Sequence, residues 1–168
     1  MAKNMKLQKD FFNRSTVEVA KDLLGKSLVF GNFKGLITET EAYRGFDDEA
    51  SHAYRGPTAR AAIMFGEPGY SYVYLIYGIH HCLNIVAEAS GCPGAVLIRG
   101  LQLPALIIDG PGKICQHLGI TRQHSGINTI NHPHFYLENG VDSFTYKATS
   151  RIGIKKATDK LWRFVITT

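Results

Sequence analysis

Two carboxylates and a tyrosine stand together in the stretch TETEAY, residues 38–43, and could form the centre of a hydrolytic site. A carboxylate can take a proton from water and stabilise a developing cation, and an aromatic ring beside it offers a wall for a flat ligand. Alternate side chains of a strand share one face. One face is therefore predicted to carry Ile37, Glu39, Glu41 and Tyr43. The opposite face, toward the core, is predicted to carry Thr38, Thr40 and Ala42, so that the carboxylates line a surface groove.

A second stretch, YSYVYLIYG, is rich in tyrosine. Tyr72 and Tyr74 are predicted to share one strand face, whereas Tyr77, at the turn before Gly78, has the opposite parity. Tyrosine-rich strands are most often half-buried core, so this stretch alone leaves core and binding surface open as alternatives.

Two polar residues interrupt apolar strands: Asn84 within CLNIVA and Arg99 within AVLIRG. A buried amide without partners costs a few kcal/mol, roughly, and a buried guanidinium needs an anion. We therefore expect hydrogen-bond partners for Asn84 and an anion beside Arg99.

Two further motifs are weaker signals. His80, His81 and Cys82, with the NHPH run at residues 131–134, contain metal-ligating side chains. Neighbouring strand residues point to opposite faces, however, so no metal site is predicted. The GPGK stretch at residues 110–113 lacks the full phosphate-loop pattern, but a glycine-rich turn that opens a helix can bind a phosphate through backbone N–H groups.

Composition bounds the class of protein. The 168 residues predict one domain, 1–168, with 45% apolar and 20% charged residues, and no apolar run is long enough to cross a membrane. No secretory signal is visible and the three cysteines lack CxxC spacing, which favours an intracellular, reducing compartment. The net charge of +5 and the pI near 9.1 are compatible with a polyanionic partner but do not require one.

The elements that must position these residues predict the α+β class, a single mixed domain with a curved, mainly antiparallel β-sheet and short flanking helices. Ser15 and Glu18 form a predicted capping box for a helix that ends at Gly25. Thr58 is predicted to cap a short helix, ARAAIMF, and GKICQHL is predicted to be another. The predicted strands are KSLVF, GLITETEA, YSYVYLIY, HHCLNIVAEA, AVLIRGL and LWRFVITT.

Several motifs, in this order, resemble the methylpurine-DNA glycosylases, the alkyladenine (3-methyladenine) DNA glycosylase family: ETEAYRGFDDEASH, YVYLIYG with CLNI, GPGKICQHLGI, and RIGI followed by LWRFVI. The resemblance covers about residues 11–168. It implies a monofunctional enzyme of base excision repair that flips alkylated purines out of double-stranded DNA and hydrolyses the N-glycosidic bond with water. It also implies a monomer without cofactor, metal or membrane partner, located in the bacterial cytoplasm (nucleoid) or, in a eukaryote, the nucleus.

The same resemblance implies roles for individual residues. Glu41 is the general base and Arg99 lies near the attacking water. The pocket for the flipped base is formed by Tyr43, Ala50, His52, Tyr74, Asn84 and Ile152. Within it, Asn84 rejects the exocyclic amine of guanine, and the Ile152 carbonyl accepts from the water. Tyr77 is the wedge that fills the gap in the helix, and the DNA backbone is contacted by Arg55, Arg60 and Lys113.

One departure from the family is a short segment, Leu101 to Asp109, which implies either a natural deletion or missing residues. It keeps open a DNA-binding module of the same fold with lost or weak activity. A carbohydrate glycosidase that uses Glu39 and Glu41 is a third reading, because two residues on one strand face lie roughly 6–7 Å apart. The sequence does not fix the lesion spectrum, although cationic 3-methyladenine is the safest substrate.

Overall fold

The computed structural model describes residues 5–167. Thr168, the last residue of the predicted strand LWRFVITT, lies outside this range, as do residues 1–4 of the N-terminal stretch in which no secretory signal was predicted. No helix within residues 5–167 has the length and apolar character needed to span a membrane.

A curved sheet of nine antiparallel strands dominates residues 5–167. Its strands are β1 (Ser27–Phe30), β2 (Phe33–Tyr43), β3 (Ser71–Ile76), β4 (His80–Val86), β5 (Ala95–Leu103), β6 (Leu106–Asp109), β7 (Phe135–Glu138), β8 (Tyr146–Thr149) and β9 (Arg163–Ile166). The order is β3-β4-β5-β2-β1-β7, with β6 on β5, β9 on β2 and β8 on β9. The six predicted strands are all present, several of them shorter than predicted, and the α+β prediction is confirmed.

Three short α-helices flank the sheet: α1 (Lys9–Phe12), α2 (Thr16–Leu23) and α3 (Pro111–Leu118). The apolar side chains of α2 and α3 share one core cluster with residues of β2, β4 and β5. Single 3₁₀ turns form at Ala62–Phe65 and Arg122–His124. The first of these is all that forms of the predicted helix ARAAIMF, and the hydroxyl of Thr58 accepts from the N–H of Ala61 (3.3 Å).

The predicted helix after Ser15 is confirmed as α2, but its predicted capping box is wrong. Among the described residues, the Ser15 side chain makes no capping hydrogen bond. The carboxylate of Glu88, two residues after the end of β4, accepts instead from the Thr16 N–H (3.1 Å) and hydroxyl (2.5 Å). A carboxylate at a helix N-terminus satisfies free N–H groups and complements the helix dipole, so a distant residue takes over the cap.

Two offset bulges interrupt the pairing of β2 with β5. Ile37 pairs with Leu101, Glu39 with Gly100 and Thr40 with Ile98, so Thr38 is the extra residue on β2 and Arg99 the extra residue on β5. A bulge shifts the side-chain alternation of its strand by one residue. Hence β2 buries Ile37 in the core before the bulge and Thr40 and Ala42 after it.

The predicted alternation is therefore wrong for Ile37, which lies in the core, and for Thr38, which was predicted to face the core but is the half-buried extra residue of the bulge. In both β2 and β5 the alternation of side chains shifts by one residue at the bulge, so the two strands change the faces of their side chains at the same level of the sheet. On that second face a smaller apolar cluster, centred on Tyr72 and Met64, lies beneath the loop that follows β2.

The segment from Leu101 to Asp109, which was expected to reflect a deletion or missing residues, is a continuous tight hairpin. Leu103 pairs with Leu106, so Pro104 and Ala105 alone form the turn between β5 and β6. Through this turn β6 returns antiparallel along the last residues of β5, from Leu103 to Gly100.

Candidate active site

A cavity of about 480 Å³ opens on the second face of the sheet, between β2–β5 and the loops around Ala50 and Ile152. Its lining includes all eight residues predicted as catalytic or base-binding, Glu41, Tyr43, Ala50, His52, Tyr74, Asn84, Arg99 and Ile152. Tyr77 and Lys113 also line it, whereas Arg55 and Arg60 do not. Residues from β2 to β5, from the loop after β2, from the start of α3 and from the segment around Ile152 thus converge on one site.

Glu41 is completely buried at the floor of this cavity, not on a surface groove as predicted. One carboxylate oxygen, Oε2, accepts from the Ile152 N–H (2.7 Å), and the other, Oε1, accepts from the Tyr43 hydroxyl (2.8 Å). Burial raises the pKa of Glu41 above its usual range, although the Ile152 N–H, Arg99 and Tyr43 oppose this shift. A desolvated carboxylate with a raised pKa is a stronger proton acceptor than an exposed one.

Arg99 emerges from the bulge of β5 between two carboxylates. Its Nε lies 3.3 Å from Glu39 Oε1 and 3.7 Å from Glu41 Oε2, so the anion expected beside this guanidinium is present. Arg163 on β9 donates to the same oxygen of Glu39. Glu39, 6% exposed, is held by two arginines and does not line the cavity. That arrangement leaves Glu39 without the access that a second carboxylate of a carbohydrate glycosidase requires.

Aromatic rings form the walls above Glu41. His52 and Tyr74 meet edge to face with ring centroids 4.6 Å apart. The His52 Nδ1 is 3.0 Å from the Tyr72 hydroxyl. Burial lowers the pKa of His52 to about 4, with a contribution from the charge of Arg60, so the imidazole is neutral at physiological pH. Burial also raises the pKa of the Tyr43 and Tyr74 hydroxyls, which therefore stay protonated as hydrogen-bond donors.

Asn84 on β4 is 2% exposed and has the partners that the sequence led us to expect. Its side-chain Nδ2 donates to the backbone carbonyls of Tyr72 (3.2 Å) and Cys82 (3.4 Å). Two backbone acceptors fix the amide in one orientation at the cavity wall, where it cannot swing aside for a larger ligand.

Tyr77 lies at the tip of the β3–β4 hairpin with 86% of its surface exposed. Its φ of +53° and that of Gly78, +70°, are both in the left-handed region. This conformation costs a residue other than glycine about 1–2 kcal/mol. An exposed aromatic side chain on a strained backbone, at the mouth of the cavity, indicates a functional position.

The predicted DNA-contacting cations lie in different places. Lys113 is at the rim of the cavity, in the first turn of α3, where the GPGK stretch also places Gly110 and Gly112. Arg60 is exposed and its guanidinium carbon lies 5.3 Å from the Tyr74 ring centroid. Arg55 is exposed in the loop after β2. Within residues 5–167, no three His, Cys, Asp or Glu side chains are grouped closely enough to hold a metal ion.

An ion pair beneath the site escaped the sequence analysis. Asp48 and Arg151 are both completely buried and are joined by two hydrogen bonds of 2.7 Å each. The two residues are 103 positions apart in the chain, so neither spacing nor periodicity connects them. The signal that could have found them is an Asp and an Arg inside the two motifs ETEAYRGFDDEASH and RIGI, since buried charges require partners.

Comparison with known proteins identifies the family. The family model of methylpurine-DNA glycosylase (MPG) matches residues 10–168. A protein of Sodalis glossinidius is 53% identical over 167 residues, which cover 98% of each chain. A protein of Ehrlichia ruminantium (strain Welgevonden) is 52% identical over 166 residues, 95% of this chain and 88% of the relative. One of Rickettsia rickettsii (strain Sheila Smith) is 48% identical over 170 residues, 99% and 93%. Each of the three carries the name "Putative 3-methyladenine DNA glycosylase". The match over nearly the whole chain agrees with the cavity geometry, and the chain belongs to the methylpurine-DNA glycosylase family.

Proposed function

We propose that this protein removes alkylated purines from double-stranded DNA by hydrolysing the N-glycosidic bond, with Glu41 as the base that activates water. The observation that carries the proposal is the state of Glu41: a buried carboxylate with both oxygens held, at the floor of an aromatic cavity. The names of the bacterial relatives support 3-methyladenine as the substrate. They also favour the bacterial nucleoid as the place of action.

The chemistry needs a nucleophile and an electrostatic partner for the sugar. Glu41 takes a proton from water as the water attacks C1′ of the deoxyribose, and its negative charge stabilises the cationic sugar that forms when the bond breaks. Arg99, close to Glu41, helps to keep the carboxylate ionised and is near enough to orient the water. The bonding electrons leave with the purine.

Selectivity follows from the charge of the damaged base. Alkylation at N3 or N7 makes the purine cationic and therefore a better leaving group. The rings of Tyr43 and Tyr74 attract a cation by about 0.5–2 kcal/mol each, and a neutral purine gains less. Because His52 is uncharged, it does not repel such a base. The Asn84 amide, fixed by two backbone carbonyls, excludes the exocyclic amine of guanine by steric conflict.

Base flipping is assigned to Tyr77. Extruding a base costs a few kcal/mol, less at a weakened pair. A tyrosine ring that stacks in the vacated space offsets part of this cost. The hairpin tip presents that ring at the mouth of the cavity with most of its surface exposed, whereas Glu41 and Asn84 are buried within it. Lys113 and the backbone N–H groups at the start of α3 are placed to contact a phosphate.

The experiment is incubation of the protein with alkylated duplex DNA, followed by alkali to reveal abasic sites. We expect lesion-dependent strand breaks after alkali and none before it, from a monomeric protein. Binding without abasic sites would instead indicate the DNA-binding module with lost activity. Release of reducing sugar from oligosaccharides, without action on DNA, would indicate the carbohydrate glycosidase.

The same reaction mixture tests for water as nucleophile. A glycosylase that attacks with an amine forms a Schiff base, which borohydride traps as a covalent DNA complex. We expect no trapped complex. Lys113 is the lysine that lines the cavity, so a trapped complex that disappears in Lys113→Met would replace water by this amine.

A further inference from the structure

The Asp48–Arg151 ion pair is the most deeply buried charge cluster beside the site. Arg151 Nη1 and Nη2 donate to the two oxygens of Asp48, and neither side chain is exposed. Breaking such a pair by removing one partner costs about 3–5 kcal/mol, but an apolar pair of similar size is often at least as stable. Stability alone therefore gives no reason for charges here. Among the described residues, Arg151 Nε is also a buried donor without a hydrogen-bond partner.

The pair connects the three segments that shape the floor of the cavity. Arg151 Nη1 donates to the carbonyl of Ala42, the residue between Glu41 and Tyr43 (2.9 Å). The next residue in the chain, Ile152, donates its N–H to Glu41. Because Arg151 and Ile152 are neighbours in the chain, a displacement of Arg151 also displaces the Ile152 N–H, a hydrogen-bond donor to the Glu41 carboxylate.

Asp48 fixes the remaining segment. Its carboxylate accepts from the N–H of Arg44 (2.9 Å) and from that of Ala50 (3.2 Å). The loop after β2 is thus held in the conformation that places Ala50 and His52 on the cavity wall.

The Arg151 guanidinium also brings a permanent charge close to Glu41. Its central carbon lies 4.6 Å from the Tyr43 ring centroid and 5.2 Å from the Trp162 ring centroid. Tyr43 in turn donates its hydroxyl to Glu41. A cation over the ring makes this hydroxyl a stronger donor and itself attracts the carboxylate.

We propose that the Asp48–Arg151 pair is the positioning device of the catalytic base: it aims the Ile152 N–H at Glu41 and holds a fixed cation near it. This proposal rests on the proposed role of Glu41. Arg151 does not line the cavity and acts through Ile152 and Tyr43, so it is a positioning residue and not a catalytic one.

The charged or titratable groups around Glu41 are Tyr43 and Glu39 on β2, Tyr74 on β3, Cys82 on β4, Arg99 on β5, Arg163 on β9 and the Asp48–Arg151 pair. Burial raises the pKa of Glu41, and Arg99 and Arg151 lower it. Removing the Arg151 charge therefore raises this pKa further. The base is then protonated at a higher pH, and the acidic limb of the excision rate moves upward.

Two variants separate charge from geometry. Asp48→Asn/Arg151→Met replaces the pair by neutral groups and avoids an unpaired buried charge. Arg151→Lys keeps the charge but cannot bind both oxygens of Asp48 and the Ala42 carbonyl together. Lys34→Met is the matched control, because it breaks the bond of Lys34 to the largely buried Glu138 (2.6 Å) at the far end of β2. The assay is single-turnover excision of 3-methyladenine from duplex DNA between pH 4.5 and pH 9, at a protein concentration that saturates the DNA.

We expect the double variant to shift the acidic limb of the excision rate upward, because Arg151 is among the groups that lower the pKa of Glu41, whereas Asp48, removed with it, is not among those that raise it. Arg151→Lys should leave the limb within about 0.3 unit and lower the plateau rate by about ten-fold or more, with an unchanged Kd for DNA. Lys34→Met should change neither. A folded double variant whose profile coincides with that of the wild type overturns the proposed charge effect. If the double variant does not fold, Arg151→Lys decides, and a wild-type plateau rate in that variant overturns the proposal. Loss of the proposed function would show differently, as a Glu41→Gln variant that still excises bases.

Discussion

Glu41→Gln separates the contribution of the carboxylate to the excision rate from its effect on the free energy of unfolding. Glutamine has the same shape, and its carbonyl oxygen can accept from the Ile152 N–H while its NH₂ donates to the Tyr43 hydroxyl, which can act as acceptor. The amide cannot take a proton from water. General-base catalysis contributes about 10²–10⁴-fold, so we expect the excision rate to fall by about 10³-fold or more, roughly 4 kcal/mol in barrier height. DNA binding should persist.

The stability of this variant should change in the opposite direction. Because burial raises the pKa of Glu41 in the folded protein, the native state holds its proton more tightly than the unfolded state does. Stability of the wild type therefore falls as the pH rises through and above the unfolded pKa near 4.5, by about 1.4 kcal/mol for each unit of difference between the two pKa values. The Gln variant has no such loss, so its advantage in free energy of unfolding grows as the pH rises from the unfolded pKa of Glu41 to its raised folded pKa.

Urea unfolding of both proteins at several pH values, beside the excision assay, measures the two effects on the same samples. Glu39→Gln is the control, because Glu39 does not line the cavity, and its effect on the rate should be much smaller. An excision rate close to that of the wild type in Glu41→Gln would refute the assignment of the base. A stability difference that stays constant with pH would show that Glu41 is not a desolvated carboxylate.

Three further substitutions test separate parts of the site. Tyr77→Ala should weaken excision of every lesion alike, least on mismatched or single-stranded substrates, while the free energy of unfolding stays within about 0.5 kcal/mol because the side chain is exposed. Asn84→Ala should raise excision of guanine-type lesions relative to adenine-type ones and cost about 1–3 kcal/mol of stability. If the ratio of guanine-type to adenine-type excision rates is unchanged in Asn84→Ala but altered in Tyr77→Ala, these two roles are misassigned. His52→Gln should flatten the dependence of stability on pH between 6.5 and 4, because the buried neutral imidazole resists protonation over that interval and the unfolded chain does not. An equally steep dependence in this variant would assign the acid sensitivity to other groups.

The parts of the site that the sequence predicts are those encoded locally. Glu41 and Tyr43 stand two residues apart in one strand, and the polar residues Asn84 and Arg99 interrupt apolar ones, so each was recognisable within its own motif. The resemblance to the family then grouped these motifs. The structure brings the same residues together around one cavity, while their roles stay predictions.

The parts that could not be predicted depend on contacts between distant segments. Asp48 and Arg151 are joined across 103 positions, and the cap of α2 comes from Glu88, 72 residues away from Thr16. The strands β6, β7 and β8, of four residues each, were not predicted, and each is held in the sheet by its pairing with β5, β1 or β9. The predicted alternation of side chains within β2 was also wrong, because a bulge depends on the pairing of two strands and cannot be recognised in the sequence of either strand alone.

The double bulge divides β2 into two parts that differ in which alternate side chains face the core. Before Thr38, Ile37 faces the hydrophobic interior. After it, Thr40 and Ala42 face the interior, and Glu41 and Tyr43 face the cavity. Because the alternation restarts at the bulge, substitutions in residues 33–37 can change the packing of the interior without rotating the carboxylate of Glu41. A regular β2 that kept all its residues would place Glu41 on the same face as Ile37, in the hydrophobic interior, so the bulge at Thr38 keeps Glu41 on the face of the cavity. A survey of relatives should therefore find substitutions along β2 but no single-residue insertions or deletions between the bulge and Glu41, because such a change would turn Glu41 toward the interior.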